Sequence, residues 1–224
     1  MKQLLCLGCV VLFHAGSVRA DDKDSTSLFN GKDLDGWVAE GAKDYKDGDE
    51  KKPVWTVNKD GYLECAGKGY GFLRYDKKKY ADFVFHVEYR MAPKCNSGLG
   101  VRTVPYDPTK SMATRPSIAC YEIQLLDDAG KEPNKYSSGS LYRYVAPSEN
   151  AVKPAPEWNT IDVECVGPRI KVTINDKKVI DVDQSTIEEL QKKPLEGYVC
   201  LQNHNGKIEF RNVKIREVKA AAEK

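Results

Sequence analysis

The 224-residue chain predicts an all-β fold, a sandwich or a barrel, and three observations carry that expectation. Short runs that alternate apolar and polar residues recur after Trp37, bounded by Gly, Pro, Asn and Asp, which is the period-two signature of half-buried strands. A single stretch, Ser185 to Gln191, has helical character, with Ser185 three residues before Glu188 as a capping box. Neither an internal repeat nor a linker divides the chain, so one domain accounts for it.

Taken in order, residues 1–20 read as a secretory signal peptide. Lys2 precedes an apolar run from Leu4 to Phe13, and Val18-Arg19-Ala20 supplies small residues for cleavage ahead of Asp21. That run of about ten residues is too short to span a bilayer, so no transmembrane segment is expected and the protein is expected to be exported, periplasmic or extracellular. Residues 21–27 form an N-terminal linker, 28–218 the β domain and 219–224 a frayed tail. The domain opens on LFNGKDLDGW, Leu28 to Trp37, in which Asn30, Gly31, Asp33, Asp35 and Gly36 turn the chain while Phe29 and Trp37 anchor the corner to a core.

Strand-like runs then follow one another: VWTV, GYLEC, GFLRY, DFVFHVEYRM, SGLGVRTV, IACYEIQLL, GSLYRYV, NTIDVECV, RIKVTI, KKVIDV, GYVCLQ and KIEFRNVKIREV. TINDKKVID, Thr173 to Asp181, reads as a hairpin about Asn175-Asp176. The charged stretches 40–52 and 105–117 read as surface loops.

Charge and cysteine content exclude more than they assign. The chain has 35 Lys and Arg against 33 Asp and Glu, and removing residues 1–20 takes away Lys2 and Arg19, so the mature chain is formally neutral. No net or clustered positive field argues for nucleic acid. Of seven cysteines, Cys6 and Cys9 lie in the signal, leaving Cys65, Cys95, Cys120, Cys165 and Cys200, an odd number that requires at least one unpaired thiol. Cys165 shares an apolar face with Ile161 and Val163 and is expected to be buried.

Alternation also sorts the polar residues. Phe83, Phe85, Val87 and Tyr89 form one apolar face, which puts His86, Glu88 and Arg90 on the other. By the same count Leu99 and Val101 point inward and Gly98, Gly100 and Arg102 outward. Tyr121, Ile123 and Leu125 oppose Glu122 and Gln124, with Asp127 and Asp128 at the strand end, while Val199 and Leu201 oppose Gln202 and His204. Arg, Glu, Gln and His on such a face, beside two glycines that let something approach the backbone, point to a concave functional surface.

LFNGKDLDGW, NSGLGVR (Asn96 to Arg102), YEIQLLDD (Tyr121 to Asp128), GSLY (Gly139 to Tyr142), EWNTIDVECVGPRIKVTINDKKVID and GYVCLQNHNGKIEFRNVKIREV resemble, in order, the successive motifs of the 3-keto-disaccharide hydrolase domain family. The resemblance runs from about Leu28 to Val218. It implies a concanavalin A-like jelly-roll β-sandwich whose opening corner closes the sandwich near the C-terminal strand, and a carbohydrate substrate.

It also implies a chemistry. A ketone at C3 of a pyranose acidifies the C2 hydrogen, so a base can remove it and the enolate can expel the C1 aglycone, after which water adds. On the matching positions, Glu122 or His204 is the base, Arg102 stabilises the enolate, and Asn96, Gln124, Asp127 and Gln202 hold hydroxyls, with Tyr142 stacking or hydrogen bonding. The resemblance demands no cofactor; a divalent metal ion held by His and carboxylates is compatible with it, though no ligand spacing calls for one. The family's Q-D-H-G segment is here Gln202-Asn203-His204-Asn205, and PYDPTKSMATRPSIA before Cys120 reads as an insertion able to reshape one wall of the cleft.

Two other classes stay open. Glu122-x-Gln124-x-x-Asp127 has the spacing of the E-x-D-x-x-E motif of laminarinase-type glucanases, with Gln in the middle acidic position. A non-catalytic carbohydrate-binding module would show an aromatic platform without a convergent acid–base pair.

Overall fold

The computed structural model describes residues 24–218. The expected signal peptide and the tail 219–224 lie outside them. Fifteen strands run in chain order: β1 (Thr26–Ser27), β2 (Trp37–Gly41), β3 (Asp44–Asp47), β4 (Glu50–Pro53), β5 (Trp55–Val57), β6 (Leu63–Cys65), β7 (Gly71–Tyr75), β8 (Phe83–Met91), β9 (Asn96–Thr103), β10 (Tyr121–Leu126), β11 (Asn159–Val166), β12 (Arg169–Ile174), β13 (Lys177–Asp183), β14 (Tyr198–Asn203) and β15 (Ile208–Glu217). Two antiparallel sheets face each other. The larger is ordered β13-β12-β11-β8-β15-β6-β5 with β1 added against β15, and the smaller β10-β9-β14-β7-β2.

The core between them is built as alternation dictates. Phe83, Phe85, Val87 and Tyr89 of β8 and Ile161, Val163 and Cys165 of β11 meet Leu99, Val101, Ile123, Leu125, Val199 and Leu201 of the small sheet, all of them buried. The arrangement is the jelly-roll sandwich expected. The opening corner does close it: Leu28 donates its N–H to Val213 O at 2.8 Å beside β15, and Trp37 Nε1 donates to Leu28 O at 2.7 Å. Within the corner Asn30 Oδ1 accepts from the backbone of Lys32 and Asp33, the Asx turn that its sequence implies. The Asn175-Asp176 hairpin forms with both residues at positive φ, +47° and +68°, as a two-residue turn between right-twisted strands requires.

Several local expectations are corrected. Thr26 and Ser27, read as linker, pair with Ile215 and Lys214 as β1. The stretch 40–52 contains most of the β3–β4 hairpin, whose residues are exposed apart from the half-buried pair Tyr45 and Lys52 and so carry no apolar alternation to read. The stretch 105–117 holds a 3-10 turn, Pro108–Lys110, and two single-turn helices, α1 (Ser111–Thr114) and α2 (Pro116–Ala119). Ser185–Gln191 is not an α-helix. Asp183 Oδ1 accepts from Ser185 N at 2.8 Å, so a 3-10 turn starts at Gln184 and stops where Ile187 becomes extended.

The polar rows fall on two different sheets. His86, Glu88 and Arg90 belong to the large sheet's outer face, while Glu122 and Gln124 of β10 and Gln202 of β14 lie on the small sheet's outer face. All five described cysteines are buried and free. Burial pushes the Cys165 thiol up to about 12.

Candidate active site

Four side chains on the small sheet's outer face and its strand ends form the floor of a pocket. Glu122 and Gln124 stand two apart on β10, Gln202 projects from β14, and Asn96 begins β9. His204 follows β14 at the rim. Tyr70, just before β7, Arg115 and Ser117 from the helical insertion, and Tyr142 from the GSLY segment make the walls around about 100 Å³ of free space. That segment is a short extra edge on β10: Gln124 N donates to Ser140 O, Gly139 N to Gln124 O, and Tyr142 N to Glu122 O at 2.9 Å.

Backbone geometry fixes these positions. Gly98 lies across from Gln124 in the β9–β10 register, and a Cβ there would meet Glu122 Cγ at 3.2 Å, so the glycine makes room for the carboxylate side chain. At Gly100 a Cβ would lie 2.3 Å from Cys200 Sγ, and Pro116 of the insertion packs over the same spot. The close approach anticipated at the two glycines therefore comes from the protein's own side chains. The His204 loop is clamped by reciprocal Asn96–Asn205 backbone bonds of 2.7 and 3.0 Å. Asn203, where the family motif has Asp, is fully buried on the opposite side of β14, donating to Lys68 O at 2.8 Å and accepting from Cys65 Sγ. The departure at that position alters the support of the loop rather than the lining of the pocket.

The electrostatics single out Glu122. It is 5 % exposed, and burial pushes its carboxyl up to about 7 against the opposing pull of Gln202, Arg115 and Ser117. Arg115 places its guanidinium carbon 4.9 Å from the Tyr70 ring centroid, and His204 meets the same ring edge-on at 5.4 Å. Burial and the nearby Arg115 charge lower the His204 pKa, which favours the neutral imidazole. Gln124 Nε2 donates to Asn96 Oδ1 at 3.3 Å. Glu122 Oε2, Gln124 Oε1, Gln202 Oε1 and Arg115 Nε are buried without a hydrogen-bond partner among the described residues. Buried polar atoms are rarely left unsatisfied, and these four gather at one pocket.

Of the expected site residues, Glu122, His204, Asn96, Gln124, Gln202 and Tyr142 converge. Arg102 and Asp127 do not. Val101 and Arg102 together oppose the single Val199, a bulge that reverses the facing of Arg102; its φ is +52°, and its buried guanidinium donates to Ala81 O at 2.8 and 3.2 Å. Asp127, beyond the end of β10, accepts from Lys94 N at 2.7 Å and supports a turn. Glu122 is therefore the one carboxylate lining the pocket. Tyr70, Arg115 and Ser117 were not singled out from sequence; the insertion itself was the signal for Arg115 and Ser117, and Tyr70 had none. Among the described residues no cluster of three or more His, Cys, Asp or Glu could hold a metal ion, and no helix is long and apolar enough to cross a membrane.

Comparison with known proteins bears on the fold and the family. A crystal structure from Parabacteroides distasonis, provisionally assigned as a glycosyl hydrolase, superposes with a TM-score of 0.69 at 25% identity, covering 88% of this chain and 94% of that one. The carbohydrate-binding module CBM66 from Bacillus subtilis gives 0.54 at 14% identity over 81% and 96%. The lumenal domain of VIP36, bound to Ca²⁺ and Man3GlcNAc, gives 0.53 at 12% identity over 89% and 90%. The last two share the fold alone. No curated protein sequence matches the chain. The model of the 3-keto-alpha-glucoside-1,2-lyase-like domain matches residues 24–216, nearly every residue described, and the chain belongs to that carbohydrate-active family.

Proposed function

We propose that the protein cleaves 3-keto-glycosides by elimination and hydration, with Glu122 as the base. The observation that carries this reading is a lone buried carboxylate, pushed up to about 7, with an unpartnered oxygen beside an arginine. A base poised near the working pH is suited to taking a proton from carbon. Glu122 takes the C2 proton, and the C2–H electron pair becomes the enolate, whose oxygen, the former C3 ketone, lies against the Arg115 guanidinium. The enolate collapses to a C1–C2 double bond and the C1–O bond breaks. The Glu122 acid returns its proton to the departing oxygen, positioned by the neutral His204 imidazole. Water then adds at C1 and C2 regains a proton. Asn96, Gln124 and Gln202 accept from and donate to the sugar hydroxyls.

Arg115 takes the role first expected of Arg102. A two-carboxylate glucanase lacks its second carboxylate in this pocket, since Asp127 is engaged elsewhere. The test is a panel of oxidised and unoxidised glycosides. Cleavage of the 3-keto forms alone, with C2 deuterium lost or slowing the reaction, is expected; equal hydrolysis of the unoxidised glycoside sinks the reading.

A second reading, a carbohydrate-binding module, is favoured by the tyrosines flanking the pocket and by the sugar-binding neighbours. It would show saturable binding of the same sugars without turnover. From the charge-then-apolar pattern of residues 1–20 we also propose export, with the N-terminus of the secreted form at or near Asp21; intact Met1 in the cytoplasmic fraction would contradict it.

A further inference from the structure

We propose that Tyr136 and Tyr142 form a second subsite, just outside the pocket, that stacks against a ring in the leaving group; this rests on the lyase reading and names the shape of substrate it takes. Tyr136 is 48 % exposed, the one Phe, Tyr or Trp among the described residues that is classed as exposed. It is not isolated. Its ring lies edge-to-face with that of Tyr142, centroids 5.5 Å apart at 69°, and Tyr142 lines the pocket. Because Tyr142 N donates to Glu122 O, the aromatic pair is rooted in the residue beside which the C1–O bond would break.

The segment that presents Tyr136 is built to hold it still. Asn134 Oδ1 accepts from Tyr136 N at 2.8 Å, Ser137 Oγ accepts from Asn134 N at 2.9 Å, and Arg143 N donates to Lys135 O at 2.8 Å. Ser138 ties the same segment to β10, its Oγ bonded to both the N–H and the carbonyl of Leu126 at 2.8 Å, and its N–H donating to Asp128 Oδ2 at 3.0 Å. An exposed aromatic on a pinned backbone loses little freedom on stacking, which is why such residues serve as recognition platforms. Lys135 Nζ, 5.6 Å from the Tyr136 centroid, adds a donor beside the ring.

Room and direction agree. About 100 Å³ accommodates little beyond the reacting centre, so the remainder of a glycoside must leave the pocket. On the β7 side of the pocket Tyr70 and Arg115 pack together, while on the β10 side the lining residue Tyr142 is in contact with the exposed Tyr136. The predicted occupant is a ring with an apolar face, from either a second sugar or an aryl group.

The experiment compares three ligands, a 3-keto-disaccharide, an aryl 3-keto-glycoside and the methyl 3-keto-glycoside, by calorimetric binding to Glu122→Gln protein with and without Tyr136→Ala, and by turnover in the Glu122 background. Tyr136→Ala is expected to weaken binding of ring-bearing ligands roughly five- to twenty-fold, leave the methyl glycoside unchanged, and be rescued by Tyr136→Phe or Tyr136→Trp. A larger loss for the disaccharide assigns the ring to sugar, and for the aryl glycoside to an aromatic. An equal effect on all three ligands, no effect, or binding of none overturns the subsite. A Tyr136-dependent difference in binding with no turnover of any ligand leaves the subsite standing and refutes the lyase, whereas turnover of all three unaffected by Tyr136→Ala does the reverse.

Discussion

The outer faces of the two sheets carry similar residues and behave differently. On the large sheet His86 Nδ1 lies 2.7 Å from Asp162, Arg211 Nε 2.7 Å from Glu88, and Arg90 pairs with Glu209, while Trp158 and Tyr62 sit beneath the two arginines. Those charges are partly buried, Glu209 almost wholly so, and all are partnered. On the small sheet Glu122, Gln124 and Gln202 are buried and each keeps an unpartnered oxygen. Composition therefore does not separate a working surface from a washed one. What separates them is whether the protein has already satisfied its own polar groups.

The sharpest way to break that distinction is Glu122→Gln, which keeps shape and hydrogen-bonding reach but cannot take a proton. Turnover of a 3-keto-glycoside is expected to fall roughly 10²–10⁴-fold with binding retained; steady-state kinetics alongside calorimetry would check it. Arg115→Lys follows, with an expected loss of about 10-fold to 10²-fold in kcat, because a point charge replaces a planar fork aimed at the enolate oxygen. A normal kcat in that variant would remove Arg115 from the chemistry. Arg102→Lys, by contrast, should act on melting temperature rather than on ligand affinity.

Stability should distinguish the faces as well. The Glu122 carboxyl is raised in the folded state from 4.5 to about 7, so wild-type stability, relative to Glu122→Gln, should be level below pH 4.5, decline between 4.5 and 7, and be level again above. The difference across that window is roughly 3 kcal/mol, read by urea denaturation at a series of pH values. Activity should rise over the upper part of the same window as Glu122 ionises. The smallest effect belongs to the outer face of the large sheet: Glu88→Gln, which loses an ion pair with Arg211, should cost less than about 1 kcal/mol and leave kinetics unchanged. A large kinetic effect there would erase the contrast between the sheets.

The sequence carried the parts of this structure that follow a period. Unbroken strands put Phe83, Phe85, Val87 and Tyr89 inward and Glu122, Gln124 and Gln202 outward, and the Asn175-Asp176 turn declared itself by residue type. Alternation could not say which sheet a strand joins, so the His86 row and the Glu122 row looked alike. One bulge was enough to turn Arg102 away from the site, since inserting a residue reverses every later facing. Arg115 is the extended link between two single-turn helices and Ser117 lies in the second, with no repeat to read, and Tyr70 sits between Gly69 and Gly71, outside any alternating run. Cys165 was legible as core, and thiol labelling of the native protein should leave it unmodified until denaturant is added.

The insertion between β9 and β10 is tied to more than its own two strands. Tyr106 packs on Phe72 and Tyr70, its backbone N–H bonds to Glu40 Oε2 at 2.8 Å on the far edge strand, and Pro116 packs over Gly100. The segment that carries Arg115 and Ser117 is thereby strapped to the opposite edge of the same sheet.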